Sequence, residues 1–154
     1  MRIALYQPDI PQNTGTILRL SACLAIDVDI IGPTGFDISD RTLKRSAMDY
    51  LTHVNITRHI SFKHFLNWRP TNSRLILLTT HAKTSYVDFE FQPDDILLLG
   101  RESKGAPDEL HNIVDHRIAI PMNHGLRSLN IAVSTAMVVG EALRQQNGFP
   151  PISE

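Results

Sequence analysis

The 154-residue chain predicts an α/β fold with a mainly parallel sheet flanked by helices. Arg74 to Thr79 (RLILLT) and Ile96 to Leu99 (ILLL) are continuous apolar runs, as expected of strands buried on both faces. Such runs alternate with stretches of helical periodicity along the chain, and no internal repeat is present.

Arg2 to Tyr6 (RIALY) is the first strand. Asp9 and Pro11 mark a helix start, because Asp caps free N–H groups and Pro has none to satisfy. Ile17, Leu20 and Leu24 follow at helical spacing. Val28 to Ile31 is a second strand, closed by Gly32-Pro33. Asp40 opens another helix, which carries Arg41, Lys44 and Arg45. His53 to Thr57 reads as a strand and Ser61 to Trp68 as a short helix. Beyond the two central strands, Pro107 starts a helix with Asp108 and Glu109 at its positive end. His116 to Ile120 is the last strand, and Ser128 to Gln146 the last helix. Ligands of such sheets bind in loops beyond the carboxyl ends of the strands. That rule singles out Thr79-Thr80-His81, Gly100 to Gly105, and Pro121 to Arg127.

A formal net charge of −1 excludes a strongly basic nucleic-acid binder, so any RNA contact needs a local basic face. Cys23 is the only cysteine, which excludes an internal disulfide and suits a reducing compartment. Its context, SACLAI, reads as that of a buried, inert thiol. No apolar leader opens the chain and no run is long enough to span a membrane, so a cytoplasmic protein without a membrane partner is expected.

Several chemistries are excluded by pattern. GRESKG lacks the Gly-Lys-Ser/Thr ending of a phosphate loop, and no GxGxxG follows the first strand. The histidines show no HExxH or Cys/His zinc spacing, so no metal is expected. No GxSxG elbow is present.

Three segments keep polar residues that packing does not demand. PDIPQNTGTILRL holds Asn13, Gly15 and Arg19. LLLGRESKGAP holds Gly100, Arg101, Glu102 and Gly105; it is either an ordinary strand-to-helix turn or a loop whose backbone reads a planar base. IPMNHGLRSLNIAVS holds Arg127, Ser128 and Asn130. Ser128 suits an N-cap, whereas Asn130 inside a first turn is a poor helix former and is left for a substrate or a loop. The last helix is apolar on more than one face, which suits either the centre of a monomeric core or burial against both its own sheet and a second subunit. Arg41, Lys44 and Arg45 share a helical face, either solvated, with Asp40 pairing Lys44, or bound to RNA phosphates.

In this order the segments resemble the SPOUT superfamily of RNA methyltransferases. PxNxGxIxR appears as Pro11-Asn13-Gly15-Ile17-Arg19, and GxExxG as Gly100-Arg101-Glu102-Ser103-Lys104-Gly105. IPM…SLN appears as Ile120-Pro121-Met122 and Ser128-Leu129-Asn130. The opening LYQPDIPQNTG and the short length are similar to the small subfamily that methylates the ribose of the wobble nucleotide, cytidine or uridine, of certain tRNAs, leucine tRNAs among them. The chain departs from these relatives at Ala132, where many carry Ser, near Ala25, where many carry Gly, and at Arg101, where the small subfamily often carries Pro.

The resemblance implies a single SPOUT domain over residues 1–154 with a C-terminal deep trefoil knot. It implies S-adenosylmethionine as cofactor, tRNA as substrate, and a homodimer with the active site at the subunit interface. It places Leu78, Gly100, Ile120 and Ser128 at cofactor-contact positions, with Met122 and Leu129 in the pocket wall. Arg19 of the opposite subunit would lie near the ribose hydroxyl, with Asn13, Glu102 and Asn130 shaping the pocket. Arginine does not deprotonate, so the role expected of Arg19 is to hold ribose or phosphate and stabilise developing alkoxide charge. The competing expectations are a non-catalytic RNA-binding module on the same fold and a methyltransferase for ribosomal RNA.

Overall fold

The structure, a computed structural model, describes residues 1–37, 39 and 41–152, and the backbone alone at Met48. Among these residues a seven-stranded sheet runs in the order β3-β2-β1-β6-β4-β7-β5, with every neighbouring pair parallel. The strands are β1 Arg2–Tyr6, β2 Asp27–Ile31, β3 Ile56–His59, β4 Leu75–Leu78, β5 Thr84–Ser85, β6 Ile96–Leu99 and β7 His116–Ala119. The α-helices are α1 Pro11–Cys23, α2 Arg41–Ala47, α3 Phe62–Trp68, α4 Asp108–Ile113 and α5 Ile131–Gln146.

Alternation along the strands builds two cores. Ile3, Leu5, Val28, Ile30, Leu97 and Leu99 face Ile17 and Leu18 of α1, Leu43 of α2, and Val138, Val139, Ala142 and Leu143 of α5. Ala4, Ile31, Leu75, Leu77, Ile96 and Leu98 face the other way, against Phe65 of α3 and Leu110 of α4. Buried on both faces, β6 and β4 have no polar side chain to spare, which is why their runs read so clearly.

Several boundaries differ from expectation. Residues Met48–His53 form a short 3-10 helix, and β3 begins only at Ile56. The later register places His59 so that its Nε2 lies 2.8 Å from Oδ1 of the buried Asp29, a polar pairing that apolar patterning does not signal. The two-residue edge strand β5 is too short to show in sequence. Helix α1 starts at Pro11 as predicted, but its N-cap is Ile10 and Asp9 does not cap it. Helix α5 starts at Ile131 rather than Ser128, and Asn130 is its N-cap, accepting from the N–H groups of Ala132 and Val133. Cys23 is exposed, because α1 buries Thr14, Gly15, Ile17, Leu18 and Ser21 instead. Asp40, expected to open α2, lies outside the described residues.

Candidate active site

Four adjacent strands deliver the site. At their carboxyl ends Leu5 of β1 pairs with Leu99 of β6, Leu99 with Leu78 of β4, and Leu78 with Ile118 of β7. The loops leaving these strands therefore emerge along one edge of the sheet. They enclose a cavity of about 560 Å³. That volume lies within the roughly 300–1,000 Å³ of small-molecule sites.

Each wall has a local cause. The chain turns sharply after β6, where a Cβ on Gly100 would stand 2.7 Å from the Ala106 nitrogen and 2.8 Å from the Gly105 carbonyl carbon. Only a glycine allows that approach of backbone to backbone. Arg101 and Gly105 then exchange both backbone hydrogen bonds, at 3.1 and 2.7 Å, which closes the loop. On the far wall, the cap at Asn130 delays the start of α5 and leaves Pro121 to Leu129 as loop.

The first segment is tied to the other two. Asn130 Nδ2 donates to Asn13 Oδ1 at 2.9 Å, while its own Oδ1 caps α5. One amide thus serves both the helix and the link to α1. The backbone N–H of Asp9 donates to Glu102 Oε2 at 3.0 Å. The Asp9 carboxylate also accepts from Arg101 Nε at 3.3 Å and from the Ser103 hydroxyl.

The two carboxyls shift in opposite directions. Burial pushes the Glu102 carboxyl up, and its hydrogen bond to Asp9 acts in the same direction, against the Asp9 N–H. Burial pushes Asp9 up as well, but hydrogen bonds from Glu102, Ser103 and Arg101 outweigh it and hold that carboxyl at about 2.

Leu78, Gly100, Ile120, Met122, Ser128 and Leu129 all line the cavity, together with Asn13, Glu102 and Asn130. Arg19 does not. It lies six positions beyond Asn13 on another face of α1, exposed, with its Cζ 5.0 Å from the Tyr50 ring centroid. Arg41, Lys44 and Arg45 are exposed on α2, outside the cavity lining. That helix packs so closely on α1 that a Cβ on Gly15 would stand 2.5 Å from Ser46 Cβ.

Lys104 lines the cavity from the singled-out loop Gly100 to Gly105, whereas Ile10 and Ser134 line it without a sequence expectation. Ile10 lies just before the first motif, where spacing alone gives no reason to choose it. Ser134 stands one helical turn beyond Asn130, a spacing that was available to find it. Among the described residues, no group of three or more His, Cys, Asp or Glu is placed to hold a metal ion. No helix among them is long and apolar enough to cross a membrane.

Comparison with known proteins identifies the family and the fold. The SpoU rRNA Methylase family model matches residues 1–140. The chain is 56% identical over 153 residues to the tRNA (cytidine(34)-2′-O)-methyltransferase of Beijerinckia indica subsp. indica, covering 99% of this chain and 96% of that protein. A solved structure described as "Structural insights into the 2-OH methylation of C/U34 on tRNA" superposes with a TM-score of 0.91 at 38% identity, covering 96% of each chain. The SpoU methyltransferase AviRb from Streptomyces viridochromogenes, solved with the cofactor AdoMet, superposes with a TM-score of 0.88 at 25% identity. That match covers 96% of this chain and 60% of the other.

Proposed function

The chain belongs to the SpoU rRNA methylase family, and from that premise we propose that it transfers a methyl group from S-adenosylmethionine to the ribose 2′-hydroxyl of the wobble pyrimidine nucleotide of tRNA, leucine tRNAs foremost. The observation that carries this reading is the meeting of three separated segments, containing Asn13, Glu102 and Asn130, around one cavity. Relatives named for methylation of the nucleotide-34 ribose in tRNA favour this substrate over ribosomal RNA and over a non-catalytic module.

The lining suits the cofactor. Leu78, Leu99, Ile120, Met122 and Leu129 give apolar walls for a purine and a methylene chain, and Thr79, Ser128, Asn130 and Ser134 give hydroxyl and amide groups to orient its polar parts. Gly100 lets the loop close tightly at the cavity wall, where a Cβ would collide with the backbone of Gly105 and Ala106. When bound, the cofactor supplies an electrophilic methyl group on a sulfonium. The protein supplies position and electrostatics. No role in this reading needs a metal.

Arg19 is assigned to a second copy of the chain. On α5 and the loop before it, Leu129, Val133 and Met137 are 41%, 52% and 37% exposed at successive four-residue intervals. This apolar stripe begins at the cavity, because Leu129 lines it. A second subunit covering the stripe brings its own α1 to the cavity mouth. Its Arg19 then holds ribose or phosphate and stabilises the alkoxide as the proton leaves. Arg41, Lys44 and Arg45, on a helix packed against that same α1, extend the contact along the tRNA backbone.

The same reading covers residues 1–154 as one domain working in the cytoplasm, its chain after β7 drawn into a deep trefoil knot. The insertion of β7 between the earlier strands β4 and β5 supports that path. Two experiments test the proposal. Wobble ribose methylation is expected to vanish from tRNA of cells lacking the protein, and intact methylation there refutes the substrate. Mixing Arg19→Ala subunits with Gly100→Val subunits is expected to restore activity that neither variant has alone; no restoration refutes the shared site.

A further inference from the structure

Helix α1 buries Thr14, Gly15, Ile17, Leu18 and Ser21, and that choice of face leaves Arg19 exposed. A long exposed side chain ordinarily samples many rotamers. Arg19 instead lies over the ring of Tyr50, its Cζ 5.0 Å from the centroid. That is inside the roughly 6 Å at which a ring face attracts a guanidinium. The ring stands on a docked platform. Tyr50 is half-buried on the 3-10 helix Met48–His53, which packs on α1. Its neighbour Leu51 packs against the core, and α2, which leads directly into this helix, is anchored by the fully buried Leu43 and Ala47. The two α-helices meet at Gly15, where a Cβ would stand 2.5 Å from Ser46 Cβ, so only a glycine permits the approach. A tyrosine has only two side-chain torsions to fix once its backbone is held this way.

The kind of contact decides what it is for. A carboxylate grips an arginine through its N–H donors and opposes its charge. A ring grips the guanidinium by its face, takes none of its N–H donors and leaves the charge intact. Donors and charge are what a group needs to hold ribose or phosphate and to stabilise an alkoxide. We propose that Tyr50 is the positioning residue for Arg19, its ring presenting the guanidinium in a fixed attitude to the ribose or phosphate at the cavity of the second subunit. The inference rests on the methyltransferase reading and on the sharing of Arg19 between subunits. An arginine oriented in advance loses less freedom when the transition state forms, so the contact acts on the transfer step. Tyr50 does not line the cavity of its own chain, so cofactor binding is untouched. The attraction comes from the ring face, so the phenol hydroxyl is dispensable.

Steady-state methyl transfer to leucine tRNA and calorimetric binding of S-adenosylhomocysteine are measured for Tyr50→Leu and Tyr50→Phe. Tyr50→Leu is expected to lose roughly 3- to 30-fold in kcat, the worth of one cation–π contact, with S-adenosylhomocysteine affinity unchanged. Tyr50→Phe keeps the ring face and is expected within about twofold of the wild type. Subunit mixing then locates the effect. In a mixture of Arg19→Ala and Gly100→Val subunits, the second kind supplies Arg19 and the first supplies the intact cavity. Adding Tyr50→Leu to the Gly100→Val subunit is expected to cost the same factor, and adding it to the Arg19→Ala subunit to cost no more. Guanidinium proton resonances of Arg19 in the wild type are expected to be displaced by the ring current of Tyr50. Undisplaced resonances overturn the proposal, even if Tyr50→Leu does not fold. So does wild-type kcat in Tyr50→Leu, a loss that Tyr50→Phe shares in full, or an equal loss from either subunit of the mixture. An inactive mixture overturns the shared site instead, and a wild type that neither binds S-adenosylhomocysteine nor methylates tRNA overturns the methyltransferase reading.

Discussion

Replacing Gly100 by alanine is the most local way to test how the cavity is built. The new Cβ meets backbone on both sides, 2.7 Å from the Ala106 nitrogen and 2.8 Å from the Gly105 carbonyl carbon, so no flexible side chain can yield to it. The loop must open, against the paired hydrogen bonds between Arg101 and Gly105. Overpacking of this kind costs roughly 1–3 kcal/mol. If the loop holds the cofactor, most of that cost falls on binding, and S-adenosylhomocysteine affinity is expected to drop roughly 5- to 150-fold. Gly105→Ala is the internal comparison. Its Cβ meets nothing within 4 Å, and only its φ of +68° resists a side chain. That strain costs about 1 kcal/mol and is borne mainly by folding. Calorimetric titration and thermal unfolding of both variants separate the two costs. Wild-type affinity and an unchanged Tm for Gly100→Ala would refute the claim that this turn forms a wall of the site.

Other predictions rest on different parts of the structure. Asn130→Ala removes both the cap of α5 and the hydrogen bond to Asn13, so thermal unfolding should show about 1–2 kcal/mol lost; an unchanged Tm contradicts the dual role. Ala25→Gly relieves a left-handed residue at φ +54° just after α1 and should raise stability by about 1 kcal/mol, read in chemical denaturation. Met137→Glu places a charge in the exposed stripe of α5 and should leave a folded monomer by light scattering, without methyl transfer; a persistent, active dimer removes α5 from the interface. Asp9, held at about 2 against an ordinary 3.8, contributes stability that is fully present above 3.8 and is lost as pH falls toward 2. The stability gap between wild type and Asp9→Asn should therefore shrink over that acid window in denaturant titrations.

Much of this was legible in the sequence, and the exceptions have physical reasons. The runs at β4 and β6 identify central parallel strands because both of their faces are buried. Their parallel direction puts their loops at one edge, so eight residues named from three distant segments line one cavity together with Leu78 of β4. What could not be read depends on which partner a polar group finds. Asn130 looked like a poor helix former left over for function; its Oδ1 caps α5 while its Nδ2 reaches Asn13, so one residue answers both needs. Asp9 looked like a cap, yet Arg101 and Ser103 claim its carboxylate across a gap of more than 90 residues. His59 extended β3 beyond its apolar run because Asp29 was waiting for it. Arg19 is a different case. Its place on α1 was clear, but the structure leaves it outside the cavity lining and beside Tyr50, a position that spacing within the motif does not indicate.

The most direct test of the central claim is to supply the purified protein with S-adenosylmethionine bearing a labelled methyl group and unmodified leucine tRNA, and then to digest the product with a nuclease that requires a free ribose hydroxyl. The label is expected in a nuclease-resistant dinucleotide that begins at the wobble position. Label recovered on a base, or in a fully cleavable product, would contradict an active site built from these three loops for ribose methylation.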